Sequence, residues 1–264
     1  MKNRAGCLLG EPAHVNSPKV KFMLRSIKQL YGDKLGAVDG DIGQVRDFYF
    51  DDQKWTIRFL VADTGSWLPG RQVLLSPYSL GRLDQAERVL RVNLTRKQIE
   101  DSPSIASHKP VSRQYEEEYY RYYGWPGYWQ GDGLWGMSGF PNLVPQGPLL
   151  ASGPTTATGP QLKLTEARLR SAQAVAGYHV RTGDDMLGHV SDFMMDAESW
   201  EIGQLVIKTG HRFSGNDVLI PTKRVDRISY EESTVFVHAT VTEGCSDARW
   251  VRSKVGEAVG SPTP

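Results

Sequence analysis

Six histidines are the side chains of this sequence most suited to binding a metal ion, but they show no close metal-ligand spacing. His179 and His189 are predicted to face each other across a hairpin, with His238 nearby, so a metal site is one interpretation. Ordinary surface histidines are the other interpretation, and the sequence favours it. We therefore predict no metal site. The full set is His14, His108, His179, His189, His211 and His238.

Sequence motifs for nucleophilic, phosphate or dinucleotide chemistry are missing: there is no nucleophile elbow, no phosphate-cradling glycine loop and no dinucleotide fingerprint. The two cysteines, Cys7 and Cys245, have no motif around them. Cys7 lies in a leader that we expect to be loose, so a structural disulfide is not expected and a reducing compartment fits. We predict no catalytic residues and no cofactor.

Two pairs of carboxylates recur 145 residues apart: Asp47 with Asp192, and Asp51 with Asp196. Duplicated carboxylates can be ligands, but turns and bulges also use Asp to accept local main-chain hydrogen bonds, and we favour that structural role. The spacing belongs to a longer repeat. Residues 24–95 match residues 169–240 at 23 of 72 positions without insertion or deletion, where composition alone gives about 4 or 5 matches. The chain is a duplicated module.

Each repeat reads as a short helical turn after a serine (Ser26 or Ser171), followed by five or six short strands with tight turns. About 75 residues of this kind predict a small β-barrel, which also removes exposed sheet edges. A bulge is expected near Asp47 and Asp192, because the apolar residues around them cannot share one face of a regular strand. The recurring structural positions are Gly43, Asp47, Asp51 and Trp55, and Gly188, Asp192, Asp196 and Trp200.

The chain carries 31 basic and 30 acidic side chains, a net charge of +1. A protein that binds the phosphate backbone of a nucleic acid needs a basic surface, and this charge balance does not indicate one. We therefore expect no nucleic-acid partner. The sequence contains no run of 18 apolar residues, so we predict no transmembrane helix. The leader also lacks the apolar core of a signal peptide, and we expect a cytoplasmic protein.

Several features in their joint order resemble the PRC-barrel domain, which occurs in the cytoplasmic part of the photosynthetic reaction centre H subunit and in a ribosome-maturation factor. The first repeat carries residues 43–51, Trp55, Leu60-Val61, Thr64-Gly65 and residues 73–77; the second carries residues 187–193, Asp196, Trp200 and residues 218–221. The resemblance implies a small all-β barrel used for protein docking, usually without chemistry of its own. The chain lacks the membrane helix of the first relative and the N-terminal domain of the second, so neither specific role transfers.

Between the repeats, residues 115–140 hold 10 of the 26 aromatic side chains of the chain. One interpretation is that these rings fold back on a barrel and extend its core. The other is a recognition patch, since Tyr and Trp are favoured anchors of interfaces. The loop at Trp67 and Leu68 is a second candidate contact, or a lid on the barrel end. The candidate partner-binding residues are Trp67, Leu68, Tyr119, Tyr122, Tyr123, Trp125, Trp129 and Trp135.

We therefore predict an all-β protein: two small PRC-type β-barrels in tandem, joined by an aromatic-rich linker with short helical turns. The expected function is a non-enzymatic adaptor that binds proteins, docking at the cytoplasmic face of a membrane complex, with the barrels packed as a pseudo-twofold pair or the chain as a homodimer. The alternatives are an RNA- or ribosome-associated factor and a small-ligand or metal-binding module. The expected divisions are a leader (1–21), a first barrel (22–96), a linker (97–165), a second barrel (166–243) and a C-terminal tail (244–264).

Overall fold

The computed structural model describes residues 24–69, 71–81, 88–104, 111–141, 169–183, 185–209 and 217–238. The leader, the C-terminal tail, both cysteines and the part of the linker after residue 141 lie outside the described residues. The rest is mostly β, with two sheets and a helical, aromatic-rich middle segment. Its elements are β1 (Leu24–Ser26), β2 (Lys34–Ala37), β3 (Gly40–Asp51), β4 (Thr56–Asp63), β5 (Val73–Leu75), β6 (Val89–Arg91), α1 (Arg96–Glu100), α2 (Arg113–Tyr123), β7 (Leu169–Ser171), α3 (Ala172–Val175), β8 (His179–Thr182), β9 (Asp185–Asp196), β10 (Ile202–Lys208), β11 (Asp217–Pro221), β12 (Val225–Ser229) and β13 (Thr234–Val237).

Five strands follow the same order in the two sheets, and the C-terminal sheet has one more strand, β12, at its end. The N-terminal sheet runs β5-β4-β3-β2-β6, and the C-terminal sheet runs β11-β10-β9-β8-β13-β12. Both sheets contain one parallel pair, which joins an early strand of the repeat to its last strand. These pairs are β2 with β6 and β8 with β13. In the described residues, the strand ladder of neither sheet closes into a barrel. A single bridge between Leu80 and Val92 brings the two ends of the N-terminal sheet together.

Each sheet receives its extra strand from the other repeat. Leu24–Ser26, at the start of the first repeat, pairs with residues 194–196 of the C-terminal sheet. Leu169–Ser171, at the start of the second repeat, pairs with residues 49–51 of the N-terminal sheet. We call residues 24–30 the first arm and residues 169–175 the second arm. No pattern in the sequence predicted this exchange.

One pair of recurring aspartates, Asp47 and Asp192, holds the exchanged arms in place. Asp192 accepts hydrogen bonds from the hydroxyl of Ser26 and from the main-chain N–H of Lys28, at 3.0 Å for the latter. Asp47 accepts from the hydroxyl of Ser171 at 2.5 Å and from the main chain two residues later at 3.0 Å. Each aspartate therefore caps the helical turn of the other repeat, because a turn leaves its first N–H groups without internal partners. Asp47 and Asp192 also accept the N–H of the residue that follows each of them, Phe48 and Phe193, at 2.7 Å.

The predicted bulges are present in both sheets. In the ladder between β3 and β4, the register shifts between Val45 and Asp47. In the ladder between β9 and β10, it shifts at the point where Asp192 pairs with Val206. An extra residue on one strand increases the local twist and lets a long strand bend. Asp47 and Asp192, which hold the arms, lie at these two register shifts.

Candidate docking surface

The middle segment begins with α2, an 11-residue helix where the sequence predicted only short helical turns. Ser112 caps its start by accepting a hydrogen bond from the N–H of Tyr115 at 3.2 Å. Gly124 ends it in a left-handed conformation, with φ +69°, which favours glycine because there is no Cβ to clash. The turns after Gly124 fold tightly, and Gly133 donates its N–H to the carbonyl of Gly136 at 2.8 Å. Residues 111–141 are called the aromatic segment below.

Helix α2 covers the edge of β5 with tyrosine side chains. The hydroxyl of Tyr119 accepts the N–H of Ser76 at 3.1 Å and donates to the carbonyl of Leu74 at 3.0 Å. These main-chain groups lie on the free side of an edge strand, where a buried group without a partner would be costly. In the second repeat Pro221 stands at the position of Ser76, and proline has no N–H to satisfy. The two repeats therefore protect the same edge by different means.

Beneath the aromatic segment lies Arg58, a fully buried arginine of β4. It sits at a shift in register, where Tyr49 and Phe50 pair with residues on either side of it. Its guanidinium donates to the carbonyl of Leu134 at 2.5 Å and lies 3.3 Å from the carboxylate of Asp51. The same group lies 3.8 Å from the centre of the Tyr128 ring. A desolvated arginine with an anion, a carbonyl and a ring face is a strong clamp between sheet and segment.

Glu116 of α2 is the second charged group buried under the segment. Its carboxylate accepts a hydrogen bond from the hydroxyl of Tyr128 at 2.7 Å and lies 3.0 Å from the guanidinium of Arg113. Burial raises the pKa of Glu116 to about 7, although Arg113 opposes the shift. The carboxyl therefore changes its charge near neutral pH, at the base of the aromatic segment.

Trp135 ties the aromatic segment to the second repeat. Its indole N–H donates to the carbonyl of Ser199 at 2.8 Å, in the turn before β10. Its ring lies 5.0 Å from the guanidinium of Arg58. On the side of the first repeat, the ammonium of Lys54 donates to the carbonyl of Gly133 at 2.8 Å. The segment therefore rests on both repeats.

The aromatic residues divide into a buried base and an outer rim. Tyr119 and Trp135 are buried, at 0% and 2% exposure, so we remove them from the candidate partner-binding set: their rings are part of the core. Tyr122 and Phe140 are 42% and 37% exposed. Met137 is 94% exposed.

Three further candidate rings are less exposed than these. Tyr123, Trp125 and Trp129 are half-buried, and the rings of Tyr123 and Trp125 stack 4.5 Å apart. The candidate loop residues Trp67 and Leu68 are also half-buried and pack against the core. These residues remain candidates because part of each side chain can still be touched from outside. We call Tyr122, Tyr123, Trp125, Trp129, Met137 and Phe140 the aromatic rim.

The remaining recurring positions have structural contacts. Gly43 and Gly188 have positive φ, and a Cβ on either would overlap a carbonyl oxygen of the neighbouring strand. The carboxylate of Asp196 accepts hydrogen bonds from the N–H and the hydroxyl of Ser199, at 3.0 and 2.8 Å. Asp51 accepts from Arg58 and from the turn that follows β3. Asp51 and Asp196 thus each accept main-chain hydrogen bonds from the turn that follows their own strand.

The histidines are arranged partly as predicted. His179 and His189 are directly opposite in the ladder between β8 and β9, and both are exposed. His238 instead lies 3.3 Å from the carboxylate of Asp226. Within the part of the chain that the structure describes, no group of three or more His, Cys, Asp or Glu residues could hold a metal ion. His14, His108 and His211 lie outside that part.

No helix of the described residues is long and apolar enough to cross a membrane.

The family model described as "PRC-barrel domain" matches residues 170–243. A PRC-barrel domain is therefore present in this part of the sequence. The match covers the C-terminal sheet from the second arm onwards and does not extend to the N-terminal region, which forms a second β-sheet domain. No curated protein matches the chain.

Proposed function

We propose that this protein is a non-enzymatic adaptor of two PRC-type modules, which presents the aromatic rim to a protein partner in the cytoplasm. The N-terminal sheet is then the second module. Its support is the 72-residue repeat at a spacing of 145 residues, with 23 identities in 72 positions, and the common order of the five strands that the two sheets share. On this proposal each sheet, with the segments that join its edges, makes a small barrel, and the exchanged arms relate the modules by a pseudo-twofold.

The observation that carries the docking proposal is an apolar rim on a rigid base. Tyr122, Met137 and Phe140 project from a segment whose other rings are buried or stacked. Exposed aromatic and methionine side chains on one short segment are typical of protein contact sites. Because the segment is clamped by Arg58, the rim loses little conformational entropy on binding, which favours affinity. A membrane complex with a cytoplasmic face is the partner class that the PRC-barrel resemblance suggests.

The test compares two matched double variants of the full chain in its native cells. Tyr122→Ser with Met137→Ser removes exposed apolar groups from the rim. Val38→Ser with Met186→Ser removes exposed apolar groups, at 72% and 64% exposure, from hairpins elsewhere. After crosslinking and affinity capture, we expect the partner to be lost in the first variant and retained in the second. Equal capture of the same partner by both variants would refute docking through the rim.

A further inference from the structure

The outer face of β10 and β11 carries an apolar pair. Val206 and Leu219 are directly opposite each other in this ladder, so their side chains lie on one face of the sheet. Leu205 and Ile220 lie on the other face and belong to the core, at 0% and 7% exposure. Val206 and Leu219 are only half-buried. The two strands therefore present an apolar pair on the side away from their own core, and we call this surface the β10–β11 face.

The same face of the first repeat is covered. The equivalent pair, 145 residues earlier, is Val61 with Leu74 in the same register. These two side chains are buried, at 0% and 2% exposure. Helix α2 covers this edge with Tyr119, whose hydroxyl donates to the carbonyl of Leu74 at 3.0 Å. The chain itself thus shows what fits this face, namely a helix that carries a tyrosine.

An acceptor for such a tyrosine is also present in the second repeat. Leu219 has the register position of Leu74, so its carbonyl points to the free side of β11. In the described part of the chain, no other element donates a hydrogen bond to this carbonyl. Pro221 lies on the same edge and has no N–H, which disfavours the addition of a partner strand. A side-chain donor on a helix therefore fits this edge better than a strand does.

Exposed lysines border the β10–β11 face. Lys208 lies opposite Asp217 at one end of the ladder, and Lys223 follows β11 by two residues. All three side chains are exposed. At the positions of the two lysines the first repeat has Asp63 and Tyr78, so both cations are particular to the second repeat. Two lysines against one aspartate favour a partner with acidic side chains.

We propose that the β10–β11 face binds an amphipathic, acidic helix of a partner protein, as α2 covers the first repeat. A tyrosine of this helix packs on Val206 and Leu219 and donates its hydroxyl to the carbonyl of Leu219. Tyrosine suits this contact because its ring is apolar and its hydroxyl is a donor. An amphipathic helix laid against an apolar surface is a common mode of protein recognition. This surface is separate from the aromatic rim, and the proposal does not depend on docking through the rim.

The probe is a synthetic peptide of residues 112–125, which contains α2 with its capping serine and glycine. It carries three glutamates and two arginines. In amide NMR spectra of the full chain, the peptide should shift the signals of residues 204–208 and 217–223 until they saturate. The same titration is made with a chain that ends at residue 243, which retains every described residue. Shifts confined to other regions, or no shifts in either chain, would overturn the proposal. Shifts only in the shortened chain would assign the face to the C-terminal tail and overturn a separate partner.

Four variants test the contacts of the β10–β11 face by titration calorimetry. Leu219→Glu should weaken peptide binding by about tenfold or more, because it removes apolar area and repels the acidic helix. Lys208→Glu, at an exposed position, should weaken it by about threefold or more. Lys34→Glu makes the same change at an exposed position of β2 and should stay within about twofold. In the peptide, Tyr119→Phe should weaken binding by about threefold or more, because the donor to the carbonyl is lost. Unchanged affinity in Leu219→Glu or in the Tyr119→Phe peptide, or equal losses in the two lysine variants, would contradict the assignment.

Discussion

Trp55 and Trp200 occupy equivalent positions in the repeats, and each accepts a main-chain hydrogen bond from the strand that follows the other. The N–H of Ile57 donates to the carbonyl of Trp200 at 2.9 Å, and the N–H of Ile202 donates to the carbonyl of Trp55 at 2.6 Å. Both tryptophans have positive φ, at +50° and +61°, a conformation that costs non-glycine residues about 1–2 kcal/mol. The turns are therefore held in a strained form that joins the two repeats through their backbones.

Loss of either arm-capping aspartate should loosen the arm of the other repeat. Asp192→Ala leaves the main-chain N–H of Lys28 without its acceptor, and Asp47→Ala does the same to the second arm. We expect each variant to lower the free energy of unfolding by about 1–3 kcal/mol. In hydrogen exchange, Asp192→Ala should speed exchange in residues 24–30, and Asp47→Ala in residues 169–175. Asp226→Ala, at an exposed aspartate, is the control; faster exchange within the same repeat instead would contradict the exchange of arms.

Gly43 and Gly188 should not accept a side chain. A Cβ would lie 1.9 Å from the carbonyl oxygen of Asp63 in one repeat and 2.2 Å from that of Lys208 in the other. Alanine at either position should therefore lower the free energy of unfolding by about 3 kcal/mol or more, measured by urea denaturation. Gly65 is the matched control, because its φ is also positive but no atom lies within 4 Å of the place that a Cβ would take. Its alanine variant should lose only about 1–2 kcal/mol; equal losses at all three would refute the close-approach argument.

Arg58 should be essential for holding the aromatic segment. Arg58→Met keeps an extended side chain but removes the bonds to Leu134 and Asp51, leaving a carboxylate without its charged partner. Breaking a buried ion pair in this way typically costs about 3–5 kcal/mol. We expect faster amide exchange in residues 126–138, with less change in the C-terminal sheet. Arg46→Met, at an exposed position of β3, should have little effect, and the same pattern in both variants would be evidence against the clamp.

The stability of the segment should fall as pH rises towards neutrality. The folded pKa of Glu116 is raised from 4.5 to about 7, so its protonated form is favoured by the fold. Its stabilising effect is fully present below pH 4.5 and is lost as pH rises through 7, a difference of about 3 kcal/mol. Glu116→Gln should remove this component, measured as the difference between its unfolding free energy and that of the wild type from pH 4.5 to 8. Glu118→Gln, on the exposed side of the same helix, should retain the wild-type slope, and an unchanged slope in Glu116→Gln would refute the assignment.

Local features of the fold could be predicted because they depend on neighbouring residues. The bulge at Asp47 follows from apolar spacing within one strand, and the turn at Ser171 follows from its capping hydroxyl, which accepts from Ala174 at 2.9 Å. Equal repeat lengths predicted a β-unit from each repeat, and the structure has two separate sheets. Closed barrels were also expected, but the described ladders do not show that closure.

The exchange of the arms could not be predicted from residue patterns. Both arms begin with the same three residues, Leu-Arg-Ser. Asp192 and Asp47 each accept a hydrogen bond from the serine of an arm. An arm could therefore make the same hydrogen bonds to its own repeat or to the other one. Only the three-dimensional path of the chain distinguishes these two arrangements. The sequence also could not predict which rings of the aromatic segment are buried and which are exposed, because buried and exposed rings are of the same residue types. One sequence signal did mark the base: Arg58 stands where the second repeat has Gly203.

The most direct test of the account is the interstrand nuclear Overhauser effects of the two arms in the full chain. The exchanged arrangement predicts contacts of residues 24–26 with residues 194–196, and of residues 169–171 with residues 49–51. Without exchange, residues 24–26 would instead contact residues 49–51 of their own repeat, and residues 169–171 would contact residues 194–196. Observation of the second pattern in the monomeric chain would contradict the reciprocal exchange that makes the two repeats one scaffold.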